Sequence, residues 1–240
     1  MSESLGTAQQ YLDKGLVFYN KGWLDEAISS YRIAIQMREG TFSRAHYQLA
    51  RALLDAGDIG GAIEAFRTSI QQQPENPEAY YSLGLTLARR GEYAEAIEAY
   101  RTAIEQRGGN HPWACHNLGI ALLRRGDFDE AITSFNLAIE QRNGDFPKAW
   151  HNLGLALGRR GDLEQAAGAF RKALNQRQGN YPDTQFELGR VLLEKGDPAA
   201  AAEAMRAAIQ QRSSAFPQAH FELSRALFAL GQLEGSITEA

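Results

Sequence analysis

The chain has 240 residues, of which 44% are hydrophobic and 22% charged, a composition typical of a soluble globular protein with a sizeable core. The formal net charge of −4 does not favour nucleic acid or an anionic membrane as a partner. The N-terminal residues lack the blocks of a signal peptide, and no run of 18 apolar residues occurs. We therefore expect a cytoplasmic protein without direct membrane insertion.

A glycine followed by a mostly acidic or polar residue recurs along the whole chain. The spacing is 35 residues at every step but one, where it is 34. Internal repetition at this period is typical of helical solenoids. The glycines are Gly22, Gly57, Gly91, Gly126, Gly161, Gly196 and Gly231.

The residues around each of these glycines predict two helices. Upstream, a small residue recurs at a fixed offset with an apolar residue three places later, as on one helical face. The small residues are Gly15, Ala50, Gly84, Gly119, Gly154, Gly189 and Ser224. Downstream, an alanine followed four places later by a bulky residue indicates a second helix that packs closely on the first. The bulky residues are Tyr31, Phe66, Tyr100, Phe135, Phe170 and Met205. Each repeat is therefore predicted to be a helical hairpin.

Helix boundaries follow from glycine, aspartate, proline and arginine. The recurring glycine ends the first helix, where a left-handed conformation costs glycine little. The predicted N-caps of second helices are Asp58, Asp127, Asp162 and Asp197. Prolines that follow an aromatic residue or histidine predict the start of first helices with a hydrophobic staple; these are Pro112, Pro147, Pro182 and Pro217. The arginines expected to complement the dipoles of second helices are Arg107, Arg142, Arg177 and Arg212.

These patterns resemble the tetratricopeptide repeat, W-x2-L-G-x2-Y, then A-x3-F, then P. The closest copy is Trp150-His151-Asn152-Leu153-Gly154. Most repeats depart from the pattern by one extra loop residue, and a closing proline occurs only at Pro74. The resemblance implies an all-α, right-handed superhelical α-solenoid whose first helices line a concave groove.

After a tail at residues 1–7, the solenoid is expected to span 8–240. Its repeats are 8–42, 43–76, 77–111, 112–146, 147–181, 182–216 and 217–240. This arrangement predicts fourteen helices in seven hairpins, the last hairpin being cut short. Its second helix, Gln232 to Ala240, is shorter than the ~12 to 15 residues at which an isolated helix is marginal in water. The apolar residues expected to be incompletely covered there are Leu223, Leu227, Leu233 and Ile237.

The resemblance implies a non-catalytic interaction module that binds a protein or an extended peptide of unknown identity. Alternatives are a self-assembling solenoid, with self-association through the C-terminal repeat, and the regulatory arm of a larger protein or enzyme complex. Repeats fill the chain and leave no length for a catalytic domain, so neither enzymatic activity nor a cofactor is expected. The sequence leaves open whether the chain is part of a longer protein.

The family's groove-facing positions, mapped on to this sequence, give the expected ligand-binding residues. In repeats two and three these are Tyr47, Gln48, Arg51, Tyr81, Ser82 and Arg89. In repeats four and five they are Trp113, His116, Asn117, Arg124, Lys148, His151, Asn152 and Arg159. In repeats six and seven they are Phe186, Arg190 and Phe221.

Two sets of these residues leave alternatives open. Asn117 and Asn152 share one register and resemble the asparagine ladder of protein O-linked N-acetylglucosamine transferases, which implies that they hold a peptide backbone. The alternative is that each caps or solvates its own helix. Arg89, Arg124 and Arg159 complement their helix dipoles, or steer an acidic ligand. The pattern of the family's two-carboxylate clamp is absent, so binding of chaperone C-termini is not expected.

Cysteine and histidine do not indicate a metal site. The single cysteine, Cys115, excludes an internal disulfide and a thiolate zinc site, and its apolar register predicts burial rather than nucleophilic chemistry. His116 and His151 are one repeat apart, on helices expected to lie about 8 to 10 Å from one another, and have no third ligand. We expect these histidines to hydrogen-bond a ligand or to face water.

Overall fold

A computed structural model describes residues 7–212 and 216–231. These residues form thirteen α-helices and no strand. The helices are α1 (Ala8–Asn20), α2 (Leu24–Gln36), α3 (Ser43–Asp55), α4 (Ile59–Gln72), α5 (Pro77–Arg90), α6 (Tyr93–Gln106), α7 (Pro112–Arg125), α8 (Phe128–Glu140), α9 (Pro147–Arg160), α10 (Leu163–Gln176), α11 (Pro182–Glu194), α12 (Pro198–Gln211) and α13 (Pro217–Ala229). The predicted fourteenth helix, Gln232 to Ala240, lies outside the described residues.

The chain divides into two units, residues 1–117 and 118–240, with the division inside α7. In the first unit α1 packs on α2, α3 on α4 and α5 on α6, and each second helix also contacts the next first helix. In the second unit α9 packs on α10 and α11 on α12, with α8 against α9 and α12 against α13. The predicted all-α solenoid of helical hairpins is confirmed.

The hairpins are held together by the predicted pairing of a small residue with a bulky one. In five of them the small residue is glycine, and a Cβ atom added there would come within 2.4 to 2.7 Å of the bulky side chain. These pairs are Gly15–Tyr31, Gly84–Tyr100, Gly119–Phe135, Gly154–Phe170 and Gly189–Met205. The bulky members are no more than 1% exposed. The absence of a Cβ atom lets the two helices close on a large buried side chain.

The turn glycines adopt the predicted left-handed conformation, with φ of 87° at Gly91 and 99° at Gly161. The predicted aspartate caps are only half correct. The carboxylates of Asp58 and Asp197 accept hydrogen bonds from the backbone N–H groups three residues on. Asp127 and Asp162 occupy the cap position without such a bond.

The two aspartates that make no capping bond form ion pairs with an arginine two residues earlier. Arg125 pairs with Asp127, and Arg160 pairs with Asp162. Asp58 and Asp197 have no arginine at that offset, because Ala56 and Lys195 stand there. The guanidinium therefore competes with the helix N-terminus for the carboxylate.

The prolines begin first helices as predicted, but the neighbouring aromatics and arginines interact differently from the expectation. Each aromatic residue occupies the N-cap itself rather than the staple position before it. The guanidinium groups of Arg142, Arg177 and Arg212 lie over the rings of Phe146, Tyr181 and Phe216, with centroid distances of 5.1, 5.6 and 4.4 Å. Each of these arginines therefore contacts, through a cation–π interaction, the aromatic N-cap of the next first helix, in addition to any effect on a helix dipole.

At the C-terminal repeat, Leu223 is 1% exposed and Leu227 is 3% exposed. The prediction that these two leucines are incompletely covered is wrong, because α12 packs against α13 and buries them. The other two residues of that prediction, Leu233 and Ile237, lie outside the described residues.

Candidate functional site

The name first-helix surface denotes the exposed side of the first helices, taken separately in each unit. In the first unit it comprises α1, α3, α5 and the part of α7 up to Asn117; in the second it comprises the rest of α7 with α9, α11 and α13. In the first unit, two pairs of predicted ligand-binding residues are hydrogen-bonded between successive repeats. The Nδ2 atom of Asn117 donates to the hydroxyl of Tyr81 at 2.9 Å, and the hydroxyls of Tyr47 and Ser82 lie 3.5 Å apart. Burial raises the pKa of Tyr81, so this hydroxyl remains protonated. The interpretation that Asn117 only caps or solvates its own helix is therefore wrong.

A second cluster in the first unit, the Tyr19 cluster, consists of Tyr19, Gln48, Arg51 and Asp55. The Arg51 guanidinium lies 4.9 Å from the centroid of the Tyr19 ring. Its Nη1 atom donates to Oε1 of Gln48 at 3.1 Å, and its Nη2 atom donates to the Tyr19 hydroxyl at 3.4 Å. The Tyr19 hydroxyl in turn donates to Oδ2 of Asp55. One tyrosine ring from the preceding repeat thus satisfies Arg51 and Asp55 together.

Trp113 and His116, on the same helix, are placed differently from one another. Trp113 is 42% exposed, whereas His116 is 5% exposed and packs edge-on to the tryptophan ring at a centroid distance of 6.2 Å. His116 is buried, so the alternative in which it faces water is wrong. Cys115 is buried, as its apolar register predicts.

His151, in the second unit, is also used by the fold. Its ring stacks on Tyr181 at a centroid distance of 5.2 Å, and its Nδ1 atom lies 2.8 Å from the hydroxyl of Thr184. Burial lowers the pKa of His151 to about 4. His151 thus packs within the fold and hydrogen-bonds to the next first helix, and its role in ligand binding stays a prediction.

The paired arginines at the ends of first helices are used in two ways. The second of each pair binds the acidic residue beyond the turn glycine: Arg90 with Glu92, Arg125 with Asp127 and Arg160 with Asp162. The first of each pair is exposed and forms no ion pair within residues 7–212 and 216–231; these are Arg89, Arg124 and Arg159. Since both members of a pair lie in the last helical turn, the dipole does not distinguish them.

A cavity of about 240 Å³ lies between α9, α10 and α11 in the second unit. It is lined by Gly154, Leu155, Gly158, Arg159, Phe170, Glu187, Arg190, Val191 and Glu194. Nη1 of Arg190 donates to Oε2 of Glu187 at 3.2 Å. Burial raises the pKa of Glu187, although the guanidinium groups of Arg190 and Arg159 favour its ionised form. The cavity therefore combines an apolar floor with charged walls.

The remaining predicted residues of the second unit differ in exposure. Lys148 is exposed and Asn152 is half-buried. Phe186 packs against Phe216 with ring centroids 5.0 Å apart, whereas Phe221 is 60% exposed. Phe186 thus packs against the N-cap residue of α13, and Phe221 remains accessible.

Tyr19, Asp55, Gly158 and Glu194 belong to these clusters but were not among the residues predicted from the sequence. All four lie in the last turn of a first helix. Gly158 had a recognisable signal, because the residues at its register in the other repeats all carry side chains. They are Tyr19, Leu54, Ala88, Leu123, Leu193 and Phe228.

Within the described part of the chain, no three His, Cys, Asp or Glu residues converge as a metal site would require. None of the described helices has the length and apolar character needed to cross a membrane.

Sequence models of the tetratricopeptide repeat match residues 8–41, 47–111, 116–183 and 186–240. None of the curated proteins matches the chain. Among solved structures, the MamA protein is 27% identical with a TM-score of 0.67, over 71% of this chain and 92% of that one. YrrB, described as a TPR protein with an unusual peptide-binding site, is 19% identical with a TM-score of 0.66, over 85% of this chain and 97% of that one.

A tetratricopeptide repeat protein from Parabacteroides merdae has the same fold, with a TM-score of 0.75 at 14% identity over 97% of this chain and 90% of that one. The repeat matches extend over nearly the whole chain, and the hairpins contain the small and bulky packing residues of the pattern. The chain therefore belongs to the tetratricopeptide-repeat family, whose helical hairpins form scaffolds for protein interactions.

Proposed function

We propose that this chain is a non-catalytic interaction module whose first-helix surface is a groove for an extended segment of a protein partner. One observation carries the proposal: Arg124 and Arg159 form no ion pair among the described residues, although the arginine next to each does. Arg125 and Arg160 already bind the acids of the turns. A guanidinium that takes part in none of the ion pairs of the fold is suited to a carboxylate of a partner.

The partner segment is proposed to be acidic. The net charge of the chain is −4, so the attraction arises from these local arginines and not from the overall field. Exposed charges act within about 8 to 10 Å at physiological ionic strength, so binding should weaken as salt is added.

The asparagines are proposed to contribute hydrogen bonds to the partner's backbone. Asn117 uses one N–H toward Tyr81, and an asparagine amide has a second N–H and a carbonyl oxygen. Asn152 lies at the same register one repeat later. Each of these amide groups suits an extended backbone, which has donors and acceptors along its length.

Selection from a displayed library of random peptides tests the proposal. We expect acidic peptides to be enriched at low salt. They should bind at least about tenfold more weakly to the double variant Arg124→Ala, Arg159→Ala, because charge-assisted hydrogen bonds contribute about 1.5 to 3 kcal/mol each.

The matched control is the double variant Arg125→Ala, Arg160→Ala, which removes the same two charges one residue along each helix. Its affinity for the selected peptides should change by less than about threefold, because these guanidinium groups face the turn acids. Failure to select any peptide, or equal losses in the two double variants, would refute the proposal.

A second candidate function, self-assembly, is favoured by α13. Phe221 and Phe228 are 60% and 64% exposed and lie seven residues apart, on one face of the helix. The occupant proposed for this face is a second copy of the chain. Sedimentation velocity over a range of concentrations should show association that Phe228→Ser abolishes; a concentration-independent coefficient would exclude it.

A further inference from the structure

The cavity between α9 and α11 exists because residue 158 is glycine. One repeat later, the same register is occupied by Leu193, and the cavity there measures about 110 Å³ instead of about 240 Å³. That smaller cavity is lined by Arg190, Leu193, Glu194, Glu222 and Arg225. A leucine side chain at this register thus occupies space that is open at Gly158.

Neither the backbone nor the packing requires glycine at this position. Gly158 lies in α9 without a positive φ, and a Cβ atom would meet its nearest neighbours, on Val191 and Ala166, at 3.7 and 3.9 Å. At Gly154, one turn earlier, a Cβ atom would lie 2.6 Å from the ring of Phe170. Glycine weakens a helix interior relative to alanine. Glycine at position 158 therefore destabilises α9, although neither backbone conformation nor packing requires it.

The first unit shows what fits in such a space. Gly158, Glu187, Arg190 and Glu194 correspond, at identical offsets of 29, 32 and 36 residues, to Tyr19, Gln48, Arg51 and Asp55 of the Tyr19 cluster. The bond from Arg190 to Glu187, 3.2 Å, reproduces the bond from Arg51 to Gln48, 3.1 Å. The one group without a counterpart in the second unit is the phenol ring of Tyr19.

In the Tyr19 cluster the phenol satisfies two groups together. Its ring lies under the Arg51 guanidinium, and its hydroxyl donates to the carboxylate of Asp55. In the second unit Arg190 and Glu194 face the open cavity, and Glu194 forms no ion pair within the described residues.

We infer that the cavity at Gly158 binds a tyrosine side chain supplied by the partner segment, with its ring against Arg190 and its hydroxyl donating to Glu194. This inference deepens the proposed function and rests on it for the source of the tyrosine. The cavity is smaller than the ~300 to 1,000 Å³ of typical small-molecule sites, which suits a single side chain. Tyrosine also combines a large apolar surface with one hydrogen-bonding group, as the apolar floor and charged walls require.

The charges on the walls disfavour other side chains. Phosphotyrosine and acidic side chains would meet the carboxylates of Glu187 and Glu194. Lysine and arginine would meet Arg159 and Arg190. Phenylalanine fills the space but leaves Glu194 without the hydroxyl donor that Asp55 receives from Tyr19.

Binding of N-acetyl-L-tyrosinamide tests the inference without the natural partner. The backbone amide signals of Gly158 and Val191, observed by nitrogen-15 NMR, should shift saturably with a dissociation constant on the order of 1 mM. N-acetyl-L-phenylalaninamide should bind about fivefold more weakly, because it lacks the hydroxyl. The substitution Glu194→Gln should reduce this difference.

Two glycine variants provide the matched comparison. Gly158→Leu places in the cavity the side chain that the next repeat has at this register, and should abolish binding of N-acetyl-L-tyrosinamide. Gly168→Leu is the control, since a Cβ atom at that α10 position would meet nothing within 4 Å and the residue does not line the cavity. It should bind like the parent, and thermal melting should show that both variants are folded.

Equal binding of the two amides, absence of a saturable shift, or full binding by Gly158→Leu would overturn the inference. These outcomes are separate from failure of the proposed function. If displayed acidic peptides bind through Arg124 and Arg159 and bind Gly158→Leu with unchanged affinity, the proposed function is supported and the tyrosine site is refuted. If N-acetyl-L-tyrosinamide binds in the cavity and no peptide is selected, the tyrosine site is supported and the proposed binding of acidic peptides is refuted.

Discussion

The Nδ1 atom of His151 lies 2.8 Å from the hydroxyl oxygen of Thr184, which is completely buried. The other first helices from α3 onward have alanine at the register of Thr184; these residues are Ala45, Ala79, Ala114, Ala149 and Ala219. His151 and Thr184 thus form a buried hydrogen bond at a position where these other helices have alanine.

This pair should make the second unit sensitive to acid. The pKa of His151 is lowered to about 4 in the folded state, against an ordinary value of 6.5. The unfolded chain therefore binds the proton first, and the free energy of unfolding should fall as the pH is lowered from 6.5 to 4. With about 1.36 kcal/mol per unit of pKa difference, the loss over this window should be about 2 to 3 kcal/mol.

The double variant His151→Phe, Thr184→Ala provides the comparison, because other repeats have phenylalanine and alanine at these registers. Urea unfolding at several pH values should show that its stability decreases less between pH 6.5 and 4 than that of the parent. Nearby Asp183, whose charge favours the protonated imidazole, remains in both proteins. Parallel pH profiles would contradict the assignment.

Two glycines one turn apart in α9 should respond oppositely to alanine. Gly154→Ala places a Cβ atom 2.6 Å from the buried ring of Phe170 and should destabilise the protein by about 1 to 3 kcal/mol. Gly158→Ala meets only ordinary contacts and should stabilise it by roughly 0.4 to 1 kcal/mol. Shifts of the urea midpoint in opposite directions, at constant m-value, would verify both expectations. Shifts of the same sign would contradict the expectation at one of the two glycines.

The aspartates at the starts of second helices should divide into two classes. Asp58→Ala removes a side-chain bond to the N–H of Gly61 and should cost about 1 kcal/mol of stability. Asp162→Ala removes a solvent-exposed ion pair with Arg160 and no capping bond, so its effect should be smaller. Equal losses in chemical denaturation would indicate that Asp162 caps its helix in solution.

The amide of Asn117 should contribute to stability as well as to binding. Asn117→Ala leaves the half-buried hydroxyl of Tyr81 without its 2.9 Å donor, so a loss of about 0.5 to 1.5 kcal/mol is expected. A double-mutant cycle with Tyr81→Phe should give a favourable coupling energy between the two residues. The corresponding cycle between Tyr47 and Ser82, whose hydroxyls are 3.5 Å apart, should give a smaller one. Strict additivity in the first cycle would show that the bond has no energetic role.

The sequence by itself determined the hairpin repeat. Gly84 and Tyr100 illustrate the reason: a small residue and a bulky one at a constant offset predict where two helices close on each other, and their packing follows the prediction. Helix boundaries were equally accessible, since a left-handed glycine and a proline at the first helical position act through their own backbone geometry. The aspartate caps were predicted only in part, because the cap also depends on whether an arginine two residues earlier takes the carboxylate.

Only the tertiary structure decided how the side chains of the first-helix surface are used. Arg159 and Arg160 are adjacent and identical in type, yet one binds turn and neighbouring acids and the other lines a cavity. Trp113 is partly exposed while His116 is buried three residues later. These outcomes depend on partners that are near in sequence, such as Asp162 for Arg160, or about one repeat away, such as Asp129. They also depend on hydrogen bonds and ring contacts that form only within a few ångströms. Periodicity specifies the register of a residue, but the neighbour that meets it at that register changes from repeat to repeat.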